Sequence, residues 1–176
     1  MDVVKVIGEY LNTPIGTVCY NTDRVLTTVL DKENVEGFAT IILRLAAKIG
    51  SMSQLQTLLS YQWLEHLSMY ANQTHTNPIF AKTFLQKDCT IVFQVGLNRS
   101  LQTNTFLTGN HMTIADVAAY HTIYPMMERL SFLEQESLVH VCRWMKHVQS
   151  QPRVCGKKTP LSLNTLNLSI LAPALH

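Results

Sequence analysis

Between Phe106 and Tyr120 the chain reads FLTGNHMTIADVAAY, a helix-start device followed at once by a helix too apolar to face water. Thr113 supplies the hydroxyl of an N-cap residue, and Asp116, three positions on, has a carboxylate that reaches back to the Thr113 N–H. Met112 and Val117 stand where a hydrophobic staple closes across the cap. Such a cap is worth on the order of 1 kcal/mol or more. Beyond it, Ile114, Ala115, Val117, Ala118, Ala119, Tyr120 and Ile123 leave the helix apolar on nearly every side, the pattern of a helix in the middle of a bundle. The fold is expected to be organised around it. A lone acid beside apolar residues suits a general base, but the spacing from Thr113 assigns Asp116 to the cap, and so to folding.

Composition narrows the function classes. Charged residues make up 15% of the 176 and hydrophobic residues 47%, against about 25% charged in an ordinary soluble domain. So few charges leave apolar surface outside the core, which is the mark of a chain that contacts partners. A net charge of +2 is too mild for a nucleic-acid footprint, and Arg153, Lys157 and Lys158 form the one local basic cluster. The 4 cysteines, Cys19, Cys89, Cys142 and Cys155, contain no C-x-x-C pair and fit a reduced cytosolic or nuclear setting. The histidines form no H-E-x-x-H pattern, and His121 reads as a hydrogen-bonded core residue and not a metal ligand. MDVVKVIGEYLN lacks the basic leader of a secretory signal, and the apolar run Phe38 to Ile49 is broken by Arg44 and Lys48 and is too short for a membrane span.

Along the chain, Val3, Val4, Ile7 and Leu11 predict a short first helix. Thr17 to Tyr20 and Val25 to Leu30 read as short strands joined through Asn21, Thr22 and Asp23. Val35 to Ile49 reads as a helix closed by Gly50. From Ser53 onward the pattern is helical: a stripe Leu55, Leu59, Trp63, Leu67 and Tyr70; a helix opened by Pro78 with Phe80, Phe84, Cys89, Val92, Phe93 and Leu97; the capped central helix with Pro125 able to kink or stop it; and a helix from Gln135 to Gln149 burying Leu138, Val141, Cys142, Met145 and Val148. The tail from Pro160 carries Leu161, Leu163, Leu166, Leu168 and Ile170 and either drapes over the helices or stays loose. The expected fold class is α+β, mostly α, divided into 1–50, a helical 53–152 and a tail 153–176.

A small β-containing section, an all-helical second section, FLTG, the T-x-A-D cap and RWMKHVQSQP together resemble the glutathione transferase superfamily. Within it, VEGFATI, LTGNHMTIAD and CRWMKHVQSQP are similar to the elongation-factor-one epsilon type of auxiliary protein of the multi-aminoacyl-tRNA synthetase complex. The resemblance implies a glutathione transferase-like fold: a shortened thioredoxin-like section followed by an all-helical C-terminal domain. It implies a non-catalytic scaffold without cofactor, docking onto glutathione transferase-like domains of methionyl-tRNA and glutamyl-prolyl-tRNA synthetases in the cytoplasm, and in the nucleus as well.

The alternative, a glutathione transferase-type enzyme, needs a hydroxyl or thiol at the first strand-to-helix turn, a proline-fixed loop and a serine at a helix N-terminus. Where that superfamily places the proline, this chain reads Arg24, Val25, Leu26, and where it places an acid–serine pair, Glu36, Gly37. Cys19 and Tyr20 are the early thiol and phenol candidates, but GTVCYN supplies no neighbouring cation to activate them, so Cys19 reads as a buried structural cysteine. The scaffold reading instead rests on faces. His140, Arg143 and His147 fall on one side of their helix, opposite its apolar stripe, and the resemblance assigns an arginine there to one partner contact, with Trp144 in the core. For the second contact it implies the helix Val35 to Ile49 and the one after Ser53, where Arg44 and Lys48 are the exposed charges; solvation alone explains both charge sets equally well.

Overall fold

The structure is a computed structural model that describes residues 2–50, 52–74, 96–163 and 165, with side chains 70–74 excluded. It is an α+β fold, mostly α: helix α1 (Asp2–Tyr10), strands β1 (Cys19–Tyr20), β2 (Leu26–Leu30) and β3 (Glu33–Glu36), then helices α2 (Phe38–Ala47), α3 (Gln54–Thr74), α4 (Leu97–Thr103), α5 (Ile114–Met127), α6 (Phe132–Glu136) and α7 (Val139–Gln149). Helices α1, α2, α3 and α7 all pack on α5, whose residues are buried almost without interruption. The apolar helix behind the cap is therefore the central one.

In α1, Val4 and Ile7 enter the core, while Val3 and Leu11 border it. The sheet is antiparallel in the order β1-β2-β3. Asn21 builds the first turn: its Oδ1 accepts the N–H of Asp23 at 3.0 Å and of Val25 at 2.9 Å. Strand β1 is shorter than Thr17 to Tyr20, because the Thr17 carbonyl accepts the Thr28 hydroxyl at 3.2 Å, a side-chain bond, before the ladder begins.

One expectation fails at the start of α2. Residues Val35 and Glu36 are strand, not helix, and the helix begins at Phe38. Asp31 and Lys32, with φ of 52° and 70°, form a two-residue turn that pairs β3 with β2 from Leu30↔Glu33 to Thr27↔Glu36. Gly37, at φ 90°, then turns the chain sharply from strand to helix, and its N–H bonds to the Leu26 carbonyl at 2.8 Å. The other end of α2 comes early too, at Ala47 with Lys48 as C-cap, ahead of Gly50.

Helix α3 opens on a capping box that the sequence reading passed over. The Ser53 N–H donates to Gln56 Oε1 and the Gln56 N–H to Ser53 Oγ, both at 3.2 Å. Its buried line is Ser60, Leu64 and Leu67, not the stripe beginning at Leu55, which is 65% exposed. Steps of four residues advance about 40° around a helix each time, so a stripe spaced 55, 59, 63, 67 winds from the solvent side to the core. The Tyr70 side chain and the Pro78-led helix with Phe80, Phe84, Cys89, Val92 and Phe93 lie outside the described residues, as do Leu166, Leu168 and Ile170 of the tail.

Pro125 does not stop α5, which runs on to Met127. Lacking an N–H, it leaves the His121 carbonyl without its helical donor, and Lys158 Nζ approaches that oxygen at 3.4 Å. The expected helix from Gln135 to Gln149 is two helices, because Ser131 and Glu134 cap an earlier start and the chain turns at Ser137 and Leu138. Leu138, Val141, Cys142, Met145 and Val148 all enter the core as anticipated from their spacing. Residues 151–163 strap across α5: Val154 O accepts His121 Nε2–H at 2.8 Å, Thr159 O accepts the Tyr124 hydroxyl at 2.8 Å, and Leu161 exchanges two 3.0 Å bonds with the Gln149 amide.

Candidate docking faces

Asp116 is fully buried, and its carboxylate joins three parts of the chain. Oδ2 accepts the Thr113 N–H at 2.9 Å and the Thr113 hydroxyl at 3.1 Å; Oδ1 accepts the Leu107 N–H at 2.9 Å and the Trp144 indole N–H at 2.8 Å. The pair closes a capping box. Its stronger half is the carboxylate bond, since the hydroxyl also turns toward the acid, while the Asp116 N–H lies 3.1 Å from the Thr113 carbonyl. Desolvation raises the Asp116 pKa against the opposing pull of those donors. Val117 is buried and Met112 half-buried beside it. The spacing of Thr113 and Asp116 pointed to a cap; the links to Leu107 and Trp144 depend on tertiary structure.

Trp144 thus belongs to the core, and the residues flanking it on α7 border a corner shared with α4. Arg143 Nη2 donates to the Leu101 carbonyl and, at 2.8 Å, to the Asn104 carbonyl, so the guanidinium closes the C-terminus of α4. His140 is partly buried, its Nδ1 enclosed without a partner, and burial followed by the Arg143 charge lowers its pKa. His147 is exposed and sets its ring 5.2 Å from that of Phe106. Arg143 and His147 meet in a groove of about 490 Å³ with Lys146, Thr105, Ser150 and Thr165 on its walls and Trp144 beneath. His140 stands outside that lining, one turn nearer the start of α7.

Sequence reasoning missed Asn98. Its Oδ1 accepts the N–H groups of His140 at 3.1 Å and Val141 at 3.2 Å, and its Nδ2 donates to the Ser137 carbonyl at 3.3 Å. No local spacing signals this contact, because 42 residues separate Asn98 from His140.

On the opposite side, Arg44 and Lys48 are both paired within the chain. Arg44 meets Glu33, and Lys48 Nζ lies 2.7 Å from Asp31 Oδ1, so α2 is clasped to the β2–β3 turn. Large apolar side chains exposed there are Leu55 at 65%, Leu58 at 55%, Tyr61 at 43% and Met69 at 59% on α3, with Ile49 just past the end of α2, beside exposed Gln54 and Gln62. They form the apolar exposed surface that the low charge content implies. Cys19 is exposed and not buried as expected, because it lies with Tyr20 on β1, an edge strand whose two residues both face outward. Among the described residues, no three His, Cys, Asp or Glu side chains gather where they would hold a metal ion.

A family model described as "Nuclear-export cofactor Arc1p" matches residues 82–152. The human protein named eukaryotic translation elongation factor 1 epsilon-1 is 28% identical over 107 residues, 60% of this chain and 55% of its own length. The chain is thus similar, over part of its length, to proteins named elongation factor 1 epsilon-1 and Arc1. The Mus musculus protein of the first name is 28% identical over 119 residues, covering 66% of this chain and 62% of its own. The tRNA-aminoacylation cofactor arc1 of Schizosaccharomyces pombe is 30% identical over 81 residues, which is 46% of this chain and 18% of that protein. The match thus spans little more than half of the human relative. The stretch matched by the family model contains the capping box, Asn98 and Arg143.

Proposed function

We propose that this chain is a non-catalytic scaffold subunit of the multi-aminoacyl-tRNA synthetase complex, acting in protein biosynthesis. In this reading it folds as a reduced thioredoxin-like section, 1–50, on an all-helical glutathione transferase-like domain, 53–152, with 153–176 as a C-terminal tail. It works in the cytoplasm and also the nucleus. Two faces dock glutathione transferase-like domains of methionyl-tRNA and glutamyl-prolyl-tRNA synthetases. One is the α4–α7 corner with His140, Arg143 and His147; the other is the α2–α3 side, where Arg44 and Lys48 border Leu55, Leu58 and Met69.

The observation that carries this reading is a coincidence of position. The segment matched by the family model described as a nuclear-export cofactor, residues 82–152, is the one that builds the Arg143 corner. A rigid cation in a groove, its side chain already ordered by two carbonyls, gives up little rotamer freedom on binding, which favours a docking contact. Arg143→Glu is expected to weaken one synthetase domain by about tenfold or more and leave the other within about twofold, measured by titration calorimetry. Lys146→Glu, which removes no observed α4 contact, serves as the control for damage to the helix end. Equal loss of both domains, or of neither, refutes two independent docking faces.

A further inference from the structure

At the ends where they meet, α7 has no side-chain cap of its own, and α4 has one bond, from Asn104 Nδ2 to the Ser100 carbonyl at 3.3 Å, which does not serve the Leu101 and Asn104 carbonyls. Leu138, the N-cap of α7, has no capping oxygen, and α4 ends on Asn104 in extended conformation. Each helix supplies what the other is missing. Asn98 Oδ1 takes the N–H groups of His140 and Val141, the second and third residues of α7 and those an N-cap side chain would serve. Arg143 answers by placing its charge on the last carbonyls of α4, where a cation matches the helix dipole. The two contacts are in register: from Asn98 to Leu101 and from His140 to Arg143 is three residues on each helix, about 4.5 Å of rise. A slip at the first contact therefore displaces the second.

We propose that Asn98 is a positioning residue of the α7 docking face: it fixes the register of α7 against α4 and so holds Arg143 in place. The binding arm of its test rests on the scaffold reading, while the free-chain arm does not. Asn98→Leu keeps the size and removes the two accepted bonds together with the one donated to the Ser137 carbonyl; Asn98→Asp keeps the accepting oxygen and loses only the donated bond. In the free full-length chain, amide hydrogen exchange at His140 and Val141 and phenylglyoxal modification of Arg143 are expected to speed up about tenfold in Asn98→Leu, the factor for one lost cap, and to stay within about twofold in Asn98→Asp. Unchanged rates in Asn98→Leu overturn the positioning role, as do equal rises in both variants. In binding, Asn98→Leu is expected to weaken about tenfold only the domain that Arg143→Glu weakens. Loss of both domains, or wild-type affinity despite faster Arg143 modification, refutes the link to docking. If neither domain binds the wild type, the scaffold reading falls and the free-chain rates still decide the role of Asn98.

Discussion

Replacing Asp116 by alanine tests whether one buried carboxylate holds the centre of the molecule together. A capping role alone predicts a loss of about 1 kcal/mol. The structure raises that figure. Without the carboxylate, the N–H groups of Leu107 and Thr113 and the indole N–H of Trp144 lose their acceptor inside the core, while the Thr113 hydroxyl, which also loses its acceptor, keeps the donation from Thr108 Oγ1 at 3.4 Å and can rotate. Each orphaned buried donor costs about 1–3 kcal/mol, and removal of a desolvated charge returns part of the sum, which leaves a net loss of about 3–5 kcal/mol. At about 2–4 °C per kcal/mol for a chain of this size, Tm falls by about 6–20 °C in scanning calorimetry. Asp116→Asn keeps an oxygen for Leu107 and Trp144 but turns a donor toward the Thr113 N–H, so it is expected to lose about 1–3 kcal/mol.

The pH dependence has a definite sign. Burial raises the folded-state pKa of Asp116 above its unfolded value of 3.8, so the folded state holds the proton more tightly and the group's stabilisation declines as pH rises between the two values. The gap in stability between wild type and Asp116→Asn is expected to narrow over that interval as pH increases. A Tm loss under about 3 °C for Asp116→Ala, the size of an isolated cap, refutes the three-way role. A gap that widens with pH refutes the assignment of desolvation as the dominant influence.

Two further outcomes follow from the strap and the hairpin. His121, lowered to about 4 by burial and by the Lys158 charge, is neutral in the fold and protonates first in the unfolded chain, so stability is lost as pH falls from about 6.5 toward 4; urea titrations of His121→Gln should show a flatter acid limb, and an unchanged limb contradicts this. Gly37→Ala, at φ 90° with Thr40 Oγ1 only 3.4 Å from the added methyl, should lose about 1–2 kcal/mol in chemical denaturation because a Cβ is strained there; a neutral result removes the strain argument.

What could be read from the sequence follows the range over which each interaction acts. The Thr113–Asp116 box, the apolar run of α5 and the Leu138 to Val148 stripe are set within one or two helical turns, and the structure places each where its spacing indicates. Strand β3 escaped notice because ENVE is polar and has no strand period; its pairing is dictated by the Asp31–Lys32 turn and by Gly37, whose backbone angles do not show in composition. The α3 stripe was misplaced because two faces share leucines, and only packing against α2 and α5 decides which of them turns inward. Asn98 was invisible for a stronger reason: as the first helical turn of α4 it resembles any solvated asparagine until α7, 42 residues later, is laid alongside.

The placement of charge around the molecule joins these observations. Arg44 and Lys48 are the cations that seemed free to meet a partner on the α2 side, yet both pair with acids of the β2–β3 turn, and exposed pairs of that kind are worth only about 0–1 kcal/mol. Their chief effect is to hold α2 against the hairpin, while the exposed apolar side chains of α3 include Leu55, Leu58 and Met69. At the α4–α7 corner the arrangement is reversed: Arg143 meets backbone carbonyls and, among the described residues, no acid, and it stands beside Lys146 and His147. One side therefore offers apolar area and the other a directed cation. Two surfaces so unlike in chemistry select unlike complements, which is the property that the two separate docking faces of the proposed scaffold require.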